Sequence, residues 1–296
     1  ILSGLVGSEM CIRDRMCLGH EMAGIVDWVG AEVTGVAVGD PVIVYPAEAD
    51  GTSIGNGGPE GGLTPLLLVR DAAAGGRLHP VPDGLPLEVA ALAEPLGIGM
   101  QAVNQTEARP GESVAVFGCG PVGLAAIATL LDRGVRDVVA IDLSPTRLAL
   151  AEGLGVQAAL DPSAVDVWAE LARLHGTAPF RYGPTAATDA FIEASGADPV
   201  IGDVIRNGRV DGRMTVVGLH FAPVETDYLT LLMKQFTIRG SIEYPTRFAD
   251  AIDLLARRDL SALITHRFPL DRFADALTLL EGSKDCGKVM ITMGAS

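Results

Sequence analysis

A chain of 296 residues that is 48% hydrophobic, with a mean hydropathy of +0.33, can bury a sizeable core and is too apolar to be disordered. A formal charge of −15 and a pI of about 4.7, with no basic tract to offset them, speak against nucleic acid or an anionic membrane as partner. No apolar run reaches the ~18–20 residues that a membrane span needs, and no basic stretch followed by an apolar one marks a secretory leader.

Aromatic residues make up 5% of the chain, so Ala, Val, Leu and 36 Gly carry the apolar content, a mix suited to helices packed on a parallel sheet. The four cysteines (Cys11, Cys17, Cys119 and Cys286) form no CxxC pair and no disulfide framework, which reads as a reducing, cytoplasmic setting. In chain order, "GIVDWVGAEVTGVAVGDPVIVYP" (24–46) breaks short Val/Ile segments with Gly and Asp-Pro, predicting antiparallel strands of a small barrel. The Gly-rich "AEADGTSIGNGGPEGGLTP" (47–65) reads as loop, Leu66–Val69 as a strand, and Leu87–Asn104 as a helix.

From Glu112 the pattern changes. "SVAVFG" predicts a buried strand, "PVGLAAIATLLDRG" a helix ended by Gly134, "VRDVVAID" a strand, and "SPTRLALAEGLG" a helix with Ser144 as N-cap and Pro145 at its first position. "VQAAL", a helix near 164–174, "DAFIEAS", a helix near 199–205 and "GRMTVVGL" continue the alternation, and 175–188 reads as a surface loop. Strand–helix units of this length imply an α/β fold with a doubly wound parallel sheet. Beyond Tyr244 the sequence predicts two amphipathic helices, "TRFADAIDLLARR" and "DRFADALTLLEGS", and a last strand, "GKVMIT".

"VAVFGCGPVGLAAI" sets Gly118, Gly120 and Gly123 in GxGxxG spacing after a strand and at the opening of a helix. Gly118 suits the tight turn and Gly120 the approach of a pyrophosphate. Gly123 suits close helix–strand packing, while Pro121 and Val122 open the helix whose amides would face the phosphates. Asp142 ends the next strand, where a carboxylate accepts from an adenosine ribose diol and repels a 2′-phosphate, favouring NAD over NADP. Arg147 stands within reach of ribose or phosphate, and a solvated helix arginine is the competing reading.

"GHE" (Gly19-His20-Glu21), "AEPLGIGMQAV" (93–103) and the glycine fingerprint together resemble the zinc-dependent alcohol dehydrogenases of the medium-chain dehydrogenase/reductase superfamily. The likeness continues through "VTGVAVGDPVIVYP", "FTIRGSIEYP" and "ITHRFPLDRFADALTLLEGSKDCGKVMI" and is nearest the polyol, butanediol and threonine dehydrogenase branch. It implies a Rossmann domain over 97–241 and an incomplete GroES-like barrel over 16–96 and 242–296. It also implies one catalytic zinc, with His20 as a ligand, Glu94 as a ligand or an alternate ligand through water, and Glu21 as an adjacent or exchanging carboxylate. The activity implied is hydride transfer between a secondary alcohol or polyol, or the matching ketone, and NAD. By the same likeness "FTIRGSIE" (Phe236–Glu243) would continue its sheet across a homodimer, or within a homotetramer. His79, His175, His220 and His266 lack ligand-like spacing. A zinc-free quinone or enone reductase of the same superfamily, and a non-catalytic nucleotide-binding module, remain as alternatives.

Two departures from the family pattern stand out. "EADGTSIGNGGPEGG" occupies the place of the four-cysteine lobe, so no structural zinc is expected. The family's first zinc ligand, a cysteine tens of residues before GHE, has no counterpart: Cys17 is three residues away and Cys11 lies in "LVGSEMCIRDR". That stretch reads as the translation of a transposon-end sequencing adapter, so residues 1–15 are expected to be a scar fused to a truncated gene. Without a thiolate and a proton-relay hydroxyl, the chain is expected to bind NAD better than it catalyses.

Overall fold

The structure, a computed structural model, describes residues 17–47, 53–70, 72, 76–283 and 285–294. The adapter-like residues 1–15, Cys11 among them, lie outside the described residues. Two compact units share the chain: Ile1–Pro95 with Thr246–Lys284 and Lys288–Ser296, and Leu96–Pro245 with Asp285–Gly287.

The first unit opens with β1 (Met22–Ile25), β2 (Pro41–Val44) and β3 (Leu78–Pro80), a three-stranded antiparallel sheet with Met22 opposite Val44 and Val44 opposite Leu78. Met22, Val42, Val44, Ile54 and Leu78 bury a small core against it. The residues between β1 and β2 form turns rather than further strands. Leu66–Val69 is not a strand either. Leu66 and Leu68 are exposed, and among the described residues no strand pairs with them, so local β-propensity has no partner there to act on. The single helix expected over 87–104 divides into α1 (Leu87–Ala90) and α2 (Ala93–Thr106). Pro95 has no amide to donate to the carbonyl of Ala91, which breaks the ladder there.

In the second unit, α2 leads into β4 (Ser113–Phe117), α3 (Pro121–Asp132), β5 (Asp137–Ile141), α4 (Pro145–Leu154), β6 (Ala158–Leu160) and α5 (Val167–His175). A two-stranded hairpin, β7 (Thr177–Ala178) with β8 (Thr185–Ala186), closes most of the segment expected as plain loop. Then come β9 (Ala190–Glu193), α6 (Asp198–Asn207), β10 (Arg213–Val216), α7 (Tyr228–Lys234) and β11 (Thr237–Gly240). The six-stranded sheet runs β11-β10-β9-β4-β5-β6 with every pairing parallel, the doubly wound α/β order. Its central strands are apolar because both faces are covered: β9 is buried throughout, and α3 buries every residue from Gly123 to Leu131. Ser144 caps α4 by accepting the amide of Arg147, with Pro145 at the first helical position.

The chain returns to the first unit with α8 (Ala249–Arg257), β12 (Ile264–Pro269), α9 (Phe273–Gly282) and β13 (Lys288–Thr292). β12 and β13 pair in parallel. Among the described residues, these strands and the β1-β2-β3 sheet stay separate sheets and do not close into a barrel. No helix among the described residues is long and apolar enough to cross a membrane.

Candidate metal and dinucleotide sites

The first unit gathers its chemistry at three places far apart in sequence. Gly19 adopts φ +87°, and a Cβ there would lie 2.9 Å from the amide nitrogen of Leu63. The chain passes that close because Leu63 and Gly62 donate their amides to the carbonyls of Leu18 and Gly19, at 3.1 and 2.8 Å. This clamp fixes His20 and Glu21 just before β1. Glu94 sits in the first turn of α2, where the helix dipole favours a carboxylate, and is 4% exposed.

His20 Nε2 lies 3.7 Å from Glu94 Oε1, and one donor atom from each of His20, Glu21 and Glu94 falls within 4.8 Å of the others. Tetrahedral zinc with bonds of ~2.0–2.1 Å holds its ligand atoms roughly 3.3–3.5 Å apart, so the three donors need only a small contraction to fit. Burial, aided by the charge of Lys288, holds the His20 imidazole below its ordinary 6.5, so at neutral pH it presents a lone pair rather than a proton. One imidazole and two carboxylates form a donor set that suits zinc. Among the described residues no thiol joins them; Cys17 instead donates its Sγ to the carbonyl of Pro59 at 3.2 Å.

Sequence reading missed Lys288. Its ammonium contacts the Glu21 carboxylate. Burial pushes Lys288 down to about 8, so it stays charged at neutral pH and can hold Glu21 in place. The only sequence signal is a lysine opening the apolar strand "KVMIT". Next to His20 and Glu21, within the same unit, lies a cleft of about 1390 Å³ lined by apolar residues including Val44, Leu67, Leu78 and Met290.

In the second unit the glycine loop has the form its spacing predicts. Gly118 takes φ +92°, and a Cβ on it would meet the Ser195 amide nitrogen at 2.6 Å. A Cβ on Gly123 would lie 1.8 Å from the Gly118 carbonyl oxygen, so α3 passes over the turn only because that side chain is absent. At Gly120 the space is open: a Cβ would find nothing nearer than Arg147 Nη1 at 3.9 Å. Gly120 is also the N-cap of α3 and offers no side-chain acceptor, and Pro121 fills the first position, leaving the amides that follow, from Val122 on, to face a ligand.

Asp142 bridges the loop to the next helix, accepting from the Cys119 amide at 2.6 Å and the Ser144 amide at 2.8 Å. Arg147 is not a freely solvated arginine, since its Nε donates to the carbonyl of Cys286 at 2.8 Å. Asp285 meanwhile accepts from Ser144 Oγ and from the Thr146 amide. These bonds tie the segment Asp285–Gly287 to the start of α4. Outside the metal cluster His175 bonds Thr188 and Gln157, and His220 bonds Glu193.

Comparison with known proteins shows the family. Residues 3–83 match the family model "Alcohol dehydrogenase GroES-like domain", and residues 121–257 match "Zinc-binding dehydrogenase". The (R,R)-butanediol dehydrogenase of Neisseria gonorrhoeae is 30% identical over 274 residues, covering 86% of this chain and 74% of that protein. This chain belongs to the zinc-dependent alcohol dehydrogenase family. The sorbitol dehydrogenase of Gallus gallus is likewise 30% identical, over 92% of this chain and 79% of its own length. Among solved structures, the 2R,3R-butanediol dehydrogenase of Bacillus subtilis superposes with a TM-score of 0.85 at 27% identity, covering 99% of this chain and 88% of that one. The family thus includes alcohol and polyol dehydrogenases, the branch to which the sequence motifs point.

Proposed function

We propose that this zinc-dependent dehydrogenase transfers hydride from a secondary alcohol or polyol to NAD, with 16–96 and 242–296 as its catalytic domain and 97–241 as its dinucleotide domain. The observation that carries the reading is the convergence of His20, Glu21 and Glu94 in a chain related to butanediol and sorbitol dehydrogenases. Zinc, when bound, supplies a Lewis acid that lowers the pKa of an alcohol hydroxyl.

The protein's own groups prepare that chemistry. His20 offers a neutral imidazole, Glu94 a buried carboxylate at a helix start, and Glu21 a second carboxylate steadied by Lys288. A donor set without a thiolate holds zinc less firmly than one with it, so the chain is expected to bind NAD better than it catalyses. One catalytic zinc and no structural zinc complete the assignment.

In the second unit, Gly118, Gly120, Pro121, Val122 and Gly123 form the pyrophosphate turn, and Asp142 accepts from the adenosine ribose. Arg147, with its Nη1 over the loop, faces the phosphates. The open edge of β11 is the surface by which two copies would join their sheets as a homodimer, and the cytoplasm is the proposed location.

An assay of a secondary-alcohol and polyol panel with NAD and NADP tests this reading. The parent protein is expected to use NAD. Asp142→Asn should raise KM for NAD by about tenfold or more, the loss of charge-assisted bonds to a diol, and should narrow the NAD-over-NADP preference. Unchanged coenzyme preference in that variant would remove Asp142 from the site.

A further inference from the structure

A second buried carboxylate stands outside both sites. Glu193, the last residue of β9, is fully buried, and a carboxylate there is tolerable only if its oxygens are satisfied. Its Oε1 accepts from the Ser195 amide at 2.8 Å, the Gly196 amide at 2.9 Å and the Ser195 hydroxyl. Its Oε2 accepts from His220 Nε2 at 3.0 Å, while its backbone carbonyl takes the amides of Val217 and Gly218. One residue therefore holds the loops that follow β9 and β10.

Those loops are packed without slack. A Cβ on Gly218 would lie 2.4 Å from Glu193 Oε2, and one on Gly196 would lie 2.7 Å from the Leu219 carbonyl oxygen. The same layer reaches the fingerprint, since Gly118 backs onto the Ser195 amide. His220 is anchored inward, its side chain 10% exposed, and leaves its neighbour Leu219 62% exposed beyond the end of β10. On its other side, Nδ1 lies 3.5 Å from Asp198 Oδ1 without a hydrogen bond.

Sheet order assigns this cluster a place along a ligand. In a doubly wound sheet the dinucleotide lies across the carboxyl ends of the strands, at the point where strand order reverses. Here β4 separates β5, which carries Asp142, from β9 and β10. With the adenosine half over β5 and the pyrophosphate at the β4 turn, the other half must cross the loops that Glu193 and His220 hold. We propose that Glu193 and His220 are positioning residues for the nicotinamide half of the coenzyme. The proposal rests on the dinucleotide reading above.

The test separates the two halves of the ligand. Binding of ADP-ribose, which lacks nicotinamide, and of NADH is measured by calorimetry for the parent, Glu193→Gln, His220→Leu and His220→Gln, with melting temperatures for each. Glu193→Gln and His220→Leu should bind NADH about tenfold or more weakly yet bind ADP-ribose within about twofold of the parent. His220→Gln, which keeps a donor toward Glu193, should recover part of the loss. Equal weakening of both ligands, or of neither, would overturn the proposal. A parent that binds neither ligand would overturn the dinucleotide reading itself and this assignment with it. His220→Leu and His220→Gln alter a side chain outside the sheet, so they carry the result if Glu193→Gln folds poorly.

Discussion

In His20→Ala, alcohol oxidation should fall to background and zinc affinity by at least about 100-fold, while NADH binding stays within about twofold of the parent. The asymmetry follows from the architecture. His20 is the one imidazole of the cluster and lies in the first unit, whereas the glycine turn and Asp142 belong to the second. Removing it leaves two carboxylates, a donor pair better matched to harder ions than zinc.

The acid side adds a second signature. Because burial holds the folded-state pKa of His20 below 6.5, the unfolded chain takes up the proton first as pH falls. The contribution of His20 to stability is therefore complete above about 6.5 and declines as pH drops through the lowered folded value. His20→Ala should flatten that decline in a plot of melting temperature against pH. Retained zinc and retained turnover in the variant would place the metal elsewhere.

The second large effect is expected at Gly123. In Gly123→Ala the new methyl would overlap the Gly118 carbonyl, and neither partner can yield. Gly118 is held by donating its amide N–H to the Ile141 carbonyl at 2.8 Å, and α3 is buried from Gly123 to Leu131. We expect a loss of about 3 kcal/mol from overpacking, a melting temperature lower by roughly 6–12 °C, and dinucleotide binding weakened by about 100-fold. Gly153 in α4 is the control, because a Cβ there meets nothing within 4 Å. Gly153→Ala should leave binding unchanged and raise stability by about 0.5–1 kcal/mol through helix propensity. Equal behaviour of the two variants in thermal melts and calorimetry would deny that close packing at Gly123 shapes the loop.

The second unit was the more legible of the two because its information is local. A strand such as "SVAVF", a glycine turn, a proline at a helix start and a capping serine each act within a few residues. The positions of Gly118, Asp142 and Ser144 could therefore be read directly. The candidate metal cluster is different. His20, Glu21 and Glu94 were legible through family likeness and not through spacing, since more than seventy residues separate Glu94 from the other two and only the folded first unit brings their donor atoms together.

Lys288 was invisible for the same reason. A lone lysine opening a strand resembles a surface cation until the chain returns and packs it, half-buried, against Glu21. Arg147 finds its partner in the carbonyl of Cys286, far along the chain. Leu66–Val69 has strand composition, but no strand among the described residues pairs with it. The four donors around Glu193 likewise come from two loops that only the sheet brings together.

X-ray absorption at the zinc edge, on protein loaded with one equivalent of zinc, tests the central claim most directly. The three-donor centre predicts a nearest shell of nitrogen and oxygen at ~2.0–2.2 Å, with imidazole scattering that disappears in His20→Ala. A sulfur shell at ~2.3 Å, or zinc that fails to bind stoichiometrically, would contradict it.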